Sequence, residues 1–287
     1  MLVAPVLELF SQEYDEKALR LKEKNPPLIA EMLDLYQSMS EKNAIEYLHD
    51  SLDHMESLLT LFDLGYIDLT DRSNTEVLVH LIIKKVIKLL KHKNHNEIIR
   101  IQEQVQERYL LNCSFFQSLP DYWGLGQNFP VMPLDRLNRR PTRGASLWDI
   151  TCDSDGEIAF DAKKPLYLHD VDVTREEYFL GFFLVGAYQE VLGMRHNLFT
   201  HPTEFSVVFD EDLNKGYEIQ NLLEAQNVLD VLDDLDYDTK EIERILKQRI
   251  DEAKISDDDK KEVLGQLYVM LSENGYLRTI KNTDEND

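Results

Sequence analysis

The amino-acid sequence predicts an α+β protein. A helical bundle insertion comes first, a small antiparallel β-barrel or sandwich domain follows it, and a helical extension ends the chain. Apolar residues recur at helical spacing through the first third of the chain, which is typical of amphipathic helices. Short apolar runs separated by turn residues follow between residues 146 and 209 and favour short strands. The helical period then returns from about Ile219.

The first part of the chain is predicted to be a short strand followed by helices. The predicted helices cover about residues 11–20, 28–36, 45–59, 75–89 and 95–110. Pro26 and Pro27 end the first helix, because proline removes a backbone donor and clashes with the preceding turn. The polar run from Asp71 to Asn74 is predicted to be a turn or cap before the fourth helix.

The β-domain is predicted to begin at Asn112, where the hydrophobic period changes from 3.6 to 2. The predicted strands cover about residues 112–116, 146–152, 166–168, 178–186 and 204–209. A basic patch lies in the proline-rich chain between the first two strands and consists of Arg136, Arg139, Arg140 and Arg143. Internal salt bridges or a subunit contact would explain the patch. Phosphate binding is the alternative, but no glycine-rich cradle accompanies it.

The C-terminal region is predicted to be helical, with apolar faces around residues 222–235, 242–250 and 263–271. Ser256 and the aspartates after it form the predicted cap of the last helix. The helical regions carry no site residues, so we expect them to make assembly contacts. The acidic tail after Thr283 is predicted to be disordered. The predicted boundaries divide the chain into residues 1–8, 9–111, 112–218, 219–280 and 281–287.

Charge and cysteine content narrow the class of protein. The chain has 54 acidic and 31 basic residues and a formal net charge of −23, which argues against nucleic acid or an anionic membrane as its main partner. No apolar run reaches transmembrane length. Two cysteines do not make a disulfide framework, so a cytoplasmic, reducing location is expected.

Metal sites built from these residues are not expected. His49 and His54, like His92 and His95, have no neighbouring cysteine or third histidine to complete a ligand set. A calcium loop with Gly156 at its sixth position would need acidic residues at its first and twelfth positions. Thr151 and Ala162 stand there instead.

A candidate site lies where a half-apolar strand becomes polar, at residues 147–156. The sheet fixes the backbone at such a strand end while the loop presents side chains. Cys152 is either a small buried hydrophobe or a reactive thiol, and both interpretations are open on this pattern alone. A second apolar run ends in Gly186-Ala187-Tyr188, where small residues allow a bound group to approach the tyrosine.

A family resemblance is carried by Cys152-Asp153-Ser154-Asp155-Gly156 followed by Gly186-Ala187-Tyr188. These residues resemble the C-terminal half of the PLP-dependent fold-type-III decarboxylases and, more narrowly, the biosynthetic arginine decarboxylases. The likeness covers essentially the whole chain and is strongest from Asn112 to Phe199. The longer matching stretches are residues 115–124, 129–134, 149–156, 181–193 and 196–199.

The resemblance implies roles for four residues. In this family the cofactor stores the electron pair left by the departing CO2, so the protein supplies a proton, binds the phosphate and recognises the substrate side chain. Cys152 is expected to be the catalytic proton donor, since a thiol with a pKa of about 8.5 is protonated at neutral pH. Asp153 is expected to bind the substrate guanidinium, and Asp121 of the Ser-Leu-Pro-Asp motif to line the substrate site. Tyr188 is expected to bind the cofactor phosphate.

The resemblance also implies a reaction and partners. L-Arginine is converted to agmatine and CO2 on the route to putrescine and spermidine, with pyridoxal 5'-phosphate and Mg2+ as cofactors. The Mg2+ ligands are unknown. Each active site is shared across a dimer within a homo-oligomer, so that Cys152 and Asp153 come from one subunit and Tyr188 from the other.

The resemblance leaves part of the machinery outside this sequence. In the family, the lysine that anchors the cofactor, the phosphate loop and the acidic partner of the pyridine nitrogen lie in a barrel before this chain begins, and residues 1–8 match its end. We therefore expect the chain alone to be inactive. One alternative is an inactive relative that regulates a full-length decarboxylase. Another is a decarboxylase of lysine, ornithine or diaminopimelate, although Val185 stands where the diaminopimelate enzymes carry a glutamate.

Overall fold

The computed structural model describes residues 1–11, 14–90, 101, 106–159, 161, 164–210 and 215–277. It has a helical bundle, a curled sheet and a C-terminal helical region, which confirms the predicted α+β class. The expected helix over residues 95–110 falls largely outside the described residues. So do the predicted disordered tail and the histidine pair at positions 92 and 95.

The central structure is a seven-stranded sheet in the order β3-β7-β1-β2-β4-β5, with β6 paired to β4. Its strands are β1 (Leu2–Phe10), β2 (Glu107–Leu111), β3 (Val131–Pro133), β4 (Arg143–Trp148), β5 (Glu157–Ile158), β6 (Tyr167–Leu168) and β7 (Phe179–Phe182). All of these pairs are antiparallel except β2 and β4, which run parallel with Leu110 opposite Trp148. The predicted purely antiparallel sheet is therefore corrected to a mixed one.

One hydrophobic core lies on the inner face of the sheet. Alternate residues of β1, namely Leu2, Ala4 and Val6, are buried, as the two-residue period of a strand requires. Fully buried Tyr109 and Phe182 pack in the same cluster. Burying each large apolar side chain contributes about 1.5–3 kcal/mol, so this core holds the strand ends in fixed positions.

The helical bundle is an insertion between β1 and β2, which are neighbours in the sheet. Its helices within the described residues 14–90 are α1 (Pro27–Ser38), α2 (Ala44–Asp63) and α3 (Leu69–Leu90). They bury a core of their own, separate from that of the sheet, with Ile29, Met32, Leu48 and Ile82 at its centre. Two separate cores indicate that the bundle is an independently packed unit.

Several predicted elements of the first 120 residues are wrong in detail. The helix predicted over residues 11–20 is replaced, among the residues described there (11 and 14–20), by a short 3-10 turn at Glu16–Ala18. Helix α3 begins at Leu69, because the Asp68 carboxylate accepts the Asp71 N–H at 3.0 Å and caps the helix before the expected turn. Residues 107–110, predicted as helix, lie in β2, because alternate side chains of this strand enter the sheet core.

The residues after β2 are also helical rather than extended. The strand expected over 112–116 is replaced by α4 (Phe115–Ser118), and α5 (Pro120–Leu125) follows it. Ser114 caps α4, since its side chain accepts the Gln117 N–H at 3.3 Å.

The C-terminal part begins with a two-stranded hairpin of β8 (Glu204–Phe209) and β9 (Tyr217–Leu223). The helical period expected from Ile219 therefore starts later, because residues up to Leu223 pair with β8. Helix α6 (Ala187–Leu192) precedes the hairpin, and α7 (Val228–Asp234), α8 (Thr239–Glu252) and α9 (Asp257–Leu271) follow it. Ser256 caps α9 as predicted, because its side chain accepts the Asp259 N–H. In the part of the chain that the structure describes, no helix is long and apolar enough to cross a membrane.

Candidate functional site

The candidate site forms where β4 ends and Asp149 begins a turn-rich loop that runs to Gly156, which we call the Cys152 loop. The Asp149 carboxylate is buried, and its Oδ2 accepts the backbone N–H of Phe115 at 2.8 Å. Its Oδ1 accepts the backbone N–H of Thr151 at 2.8 Å and the Thr151 hydroxyl at 2.6 Å. The carboxylate thus joins the start of this loop to the N-terminus of α4.

Gly156 closes the same loop. The Asp149 N–H donates to the Gly156 carbonyl at 2.9 Å, and the Gly156 N–H donates to the Asp153 carbonyl at 3.1 Å. A Cβ on Gly156 would lie 2.3 Å from Oδ1 of Asp149, so the position requires glycine. Burial raises the pKa of Asp149, while its hydrogen bonds from Thr151 and Phe115 act in the opposite direction.

Cys152 and Asp153 project from the middle of the loop toward the segment His196–Asn197. The Cys152 thiol is exposed, and its Sγ lies 3.8 Å from Nδ2 and 3.9 Å from Oδ1 of Asn197. Asn197 has a φ of 56°, a left-handed conformation that asparagine adopts more readily than most residues. The Asp153 Oδ2 lies 3.4 Å from Nε2 of His196. The thiol and the carboxylate are therefore both presented at one surface.

Aromatic rings stack beside Asp153. The His196 ring lies 4.3 Å from the Phe116 ring at an interplanar angle of 31°, and the Phe116 ring lies 5.2 Å from that of Trp123. Phe116 is buried and Trp123 is 37% exposed. The buried Phe116 ring therefore contacts two partly exposed rings, those of His196 and Trp123.

Asp121 and Tyr188 lie on two neighbouring short helices, α5 and α6. The buried Gln189 donates from Nε2 to Oδ2 of Asp121 at 2.5 Å, and the Asp121 N–H donates back to Oε1 of Gln189 at 3.2 Å. Asp121 thus connects the two helices. Tyr188, next to Gln189, is 78% exposed and presents its hydroxyl to solvent. An added Cβ at Gly186 would meet no atom within 4 Å, so the surface at the start of α6 is open.

The residues that follow α6 pack directly against the backbone of α4. A Cβ on Gly193 would lie 2.2 Å from the Gln117 carbonyl oxygen, and the Met194 N–H donates to the Phe116 carbonyl at 3.1 Å. Glycine at this position therefore allows the chain to pass against α4 on its way to His196.

The structure brings Cys152 and Asp153 together and connects Asp121 to the residue beside Tyr188. Sequence reasoning did not select Asp149 as the anchor of the loop, or His196 and Asn197 as its contacts. All of them stand in the stretches 149–156 and 196–199 that carry the family resemblance, which is the only sequence signal they gave.

The basic patch predicted from the sequence has a structural explanation at two of its arginines. Arg136 pairs with Glu176, and Arg143 bonds Glu107 at 3.0 Å and Asp170 at 2.6 Å. The internal salt bridges predicted for the basic patch are thus confirmed at these two arginines. Within the described ranges, no three or more His, Cys, Asp or Glu side chains are grouped so as to hold a metal ion.

Two family models match the chain. The arginine decarboxylase helical bundle domain matches residues 22–103, and the arginine decarboxylase C-terminal helical extension matches residues 228–277. They coincide with the bundle between β1 and β2 and with helices α7 to α9. These two matches, one to the insertion in the curled sheet and one to the C-terminal helices, indicate a chain of the arginine decarboxylase class.

Comparisons over most of the chain identify the family within this class. The chain is 34% identical over 274 residues to the biosynthetic arginine decarboxylase of Phocaeicola vulgatus, and 37% identical over 249 residues to that of Bacteroides thetaiotaomicron. These alignments cover 92% and 83% of the chain but 43% and 39% of the relatives. The crystal structure of the Campylobacter jejuni biosynthetic arginine decarboxylase is 62% identical, with a TM-score of 0.82 over 97% of this chain and 45% of that one. The chain belongs to the biosynthetic arginine decarboxylase family and spans less than half the length of these relatives.

Proposed function

We propose that this chain is part of a PLP-dependent arginine decarboxylase that converts L-arginine to agmatine and CO2, with Cys152 and Asp153 in the active site. The observation that supports this proposal most directly is the placement of Cys152 and Asp153. An exposed thiol and a carboxylate project from one loop that buried Asp149 anchors. The chain that holds this pair is 62% identical to the biosynthetic arginine decarboxylase of Campylobacter jejuni.

In this proposal Cys152 delivers the proton that replaces the departing carboxyl group. Loss of CO2 leaves an electron pair at Cα of the substrate, and the Sγ–H of Cys152 protonates that carbon to give the amine product. The thiolate then regains its proton from solvent, which reaches the exposed side chain. A thiol is suited to the task because it is mostly protonated at neutral pH and yet acidic enough to donate.

Asp153 binds the guanidinium of the substrate. Its carboxylate accepts two parallel N–H bonds from a planar fork, a geometry that an ammonium cannot match. In the free chain the imidazole of His196 lies against the carboxylate and stacks on Phe116. Entry of the guanidinium therefore replaces the His196 imidazole as the partner of Asp153, at the edge of the aromatic rings.

The fit of the chain to pyridoxal phosphate is partial. The exposed Tyr188 hydroxyl and the open backbone at Gly186 suit the phosphate end, because a phosphate needs hydrogen-bond donors and room for close approach. When bound, the cofactor supplies the electron-withdrawing ring that makes loss of CO2 feasible. The lysine that anchors the cofactor lies outside this chain in the proposal. Asp121 lines the substrate site from α5, where its pairing with Gln189 fixes it to α6, the helix that carries Tyr188.

The proposal assigns no residue of this chain to magnesium, because the described residues offer no ligand set that fits it. We infer a cytoplasmic location from the two free cysteines, one of them exposed. We also infer a homo-oligomer in which Cys152 of one subunit and Tyr188 of another serve one active site. The high exposure of both side chains supports such sharing.

A chimera tests the decarboxylase proposal. The matched region of the Campylobacter jejuni enzyme is replaced by this chain, and release of CO2 from labelled L-arginine is measured with PLP and magnesium present. Cys152→Ala is expected to lower kcat by about 10²–10⁴-fold, the usual contribution of a general acid. Cys152→Ser is the matched variant, since it keeps the size of the side chain but not its acidity.

The same chimera tests substrate recognition. Asp153→Asn is expected to raise KM for arginine by about 10–100-fold, because a hydrogen-bonded charge pair contributes roughly 1.5–3 kcal/mol. Lysine and ornithine serve as competing substrates, and preference for either would overturn the assignment to arginine. An assembled chimera that releases no CO2 would instead favour the inactive, regulatory relative.

Mixing two variants tests the shared site. Cys152→Ala and Tyr188→Ala chimeras are each purified and then mixed under conditions that exchange subunits. If the site is shared, half of the dimers are mixed and each has one intact site, so about a quarter of wild-type activity returns. Absence of rescue, with exchange demonstrated by mass spectrometry, would place both residues in one subunit's site.

A further inference from the structure

The end of the described chain returns to the β-domain. After α9, residues 274–277, which we call the return segment, run back from the C-terminal helices. Asn274 bridges to Asn227, and the Val228 N–H donates to the Glu273 carbonyl at 2.9 Å. The segment is therefore fixed at one end to α7. Its other end contacts two places that also hold the Cys152 loop.

The first contact is with Asn112, which follows β2. Its Nδ2 donates to the Leu277 carbonyl at 2.6 Å, and the Leu277 N–H donates to Oδ1 of Asn112 at 3.0 Å. One amide side chain thus forms a two-bond clamp on the backbone of the return segment. The next residue, Cys113, accepts the Ile150 N–H at 3.2 Å on its carbonyl. Asn112, which clamps the return segment, is therefore the immediate neighbour of Cys113, which bonds the Cys152 loop directly.

The second contact is with the segment that faces Cys152. The Tyr276 hydroxyl donates to the Thr200 carbonyl at 2.5 Å, and the Tyr276 ring stacks on Phe199 at a centroid distance of 5.4 Å. Thr200 is buried. Asn197, whose side chain lies against the Cys152 thiol, is only two residues before Phe199. Burial raises the pKa of Tyr276, and the nearby Cys113 and Asp149 add to this shift. The tyrosine hydroxyl therefore lies close to the chain that follows β2 and to the start of the Cys152 loop.

We propose that the return segment, through Tyr276 and the Asn112 clamp, positions the Cys152 loop against Asn197 for proton delivery. The C-terminal helical extension then has a role in setting the active site, beyond any role in assembly. This inference rests on the proposed function of Cys152. It requires Tyr276 to act through other residues, because its ring stacks on Phe199 and its hydroxyl bonds Thr200 rather than Cys152.

The backbone conformation of the turn at Asn197 and Leu198 explains why it needs contacts from Tyr276. Asn197 and Leu198 both have left-handed backbone conformations, with φ of 56° and 63°. Such conformations cost free energy and persist only where surrounding contacts hold them. The stacking and hydrogen bond of Tyr276 fasten the two residues immediately after this turn. Without them, the turn relaxes and Asn197 leaves the thiol.

Alkylation of the two cysteines in the folded chain provides the test. The rate at Cys152 is measured by mass spectrometry with iodoacetamide, and buried Cys113 is the internal reference for unfolding. Tyr276→Ala removes both the stack on Phe199 and the hydrogen bond to Thr200, and it is expected to raise the Cys152 rate by about fivefold. Tyr276→Phe keeps the stack and is expected to show a smaller rise. Tyr237→Ala removes a tyrosine that is 56% exposed in the same extension and is expected to change nothing.

The outcomes separate this inference from the proposed function. An unchanged Cys152 rate in Tyr276→Ala overturns the positioning role, and so does equal exposure of both cysteines in Tyr276→Phe. In the chimera, Tyr276→Ala is expected to lower kcat and leave KM for arginine within about twofold, since Asp153 rather than the thiol sets binding. Full activity of Cys152→Ala would refute the proposed function, whereas the alkylation result stands independently of it.

Discussion

The anchoring of the Cys152 loop by Asp149 gives the sharpest stability prediction. In Asp149→Ala the backbone N–H of Phe115 loses its acceptor at 2.8 Å, inside a core where Phe115 is fully buried. An orphaned buried donor costs about 1–3 kcal/mol. The two Thr151 donors lie on a half-buried residue and can turn to water, so their loss costs little. Relief of the buried charge offsets part of the penalty, because burial disfavours the ionised carboxylate and raises its pKa.

These contributions leave a net local destabilisation of about 2 kcal/mol, which corresponds to a roughly 30-fold larger equilibrium constant for local opening and therefore to about 30-fold faster amide exchange. The assay is amide hydrogen exchange of the peptide that contains Phe115, measured by mass spectrometry on the whole chain. Asp149→Asn should give an intermediate rate, because one amide oxygen cannot serve donors on both sides. Peptides from the helical bundle, which has its own core, should exchange at the wild-type rate in each variant.

Asp155→Ala is the matched control, since it removes an exposed carboxylate of the same charge from the same loop. It should leave exchange at Phe115 within about twofold of wild type, because surface substitutions rarely change stability by more than about 0.5 kcal/mol. If Asp149→Ala also leaves the Phe115 amide protected, the carboxylate is not the anchor and the reasoning is refuted.

Further predictions concern the buried thiol and the glycines. Burial, with a contribution from Asp149, raises the pKa of Cys113 above its ordinary value. The folded chain then keeps a proton that the unfolded chain loses, so stability present below pH 9 falls as pH rises, by up to about 1.4 kcal/mol per pH unit. Urea midpoints of wild type should fall toward those of Cys113→Ala between pH 8.5 and 10, and parallel curves would contradict this. Gly193→Ala places a methyl group against the Gln117 backbone and should lower the urea midpoint by the equivalent of about 1–3 kcal/mol. Gly265→Ala, in open space on α9, should raise it by the equivalent of up to about 1 kcal/mol, and equal midpoints for the two variants would refute the packing argument.

The longer helices were predictable from the sequence because their apolar spacing and caps are local signals. Ser256 caps α9, and α2 covers the predicted stretch from Ile45 to Leu59. The misassigned elements are those that tertiary contacts decide. Residues 107–111 have helix-compatible side chains but become β2, since β1 on one side and β4 on the other supply their backbone hydrogen bonds.

In the candidate site, the residues were likewise predictable from the sequence but their contacts were not. The thiol, the carboxylate and the tyrosine were identified because they stand in stretches with a family resemblance. The contacts among them were not predictable, since Asn197 is 45 residues from Cys152 in sequence and meets it only through the path of α6 against α4. The return segment is more distant still, because Leu277 reaches Asn112 across 165 residues.

The parallel pairing of β2 and β4 explains why these distant segments meet. In an antiparallel pair the carboxyl end of one strand lies beside the amino end of the other, and the residues after β2 and β4 would be separated by the length of the sheet. Parallel pairing instead brings both carboxyl ends to one edge, with Leu110 opposite Trp148. Asn112 to Phe115 then lie against Asp149 and Ile150, so a single edge receives the Cys152 loop, its buried anchor and the clamp on the return segment. A substitution at that edge should therefore alter the loop, its anchor and the clamp together. This is why Asp149→Ala and Tyr276→Ala, although 127 residues apart, should both alter the reactivity of the one exposed thiol among the described residues.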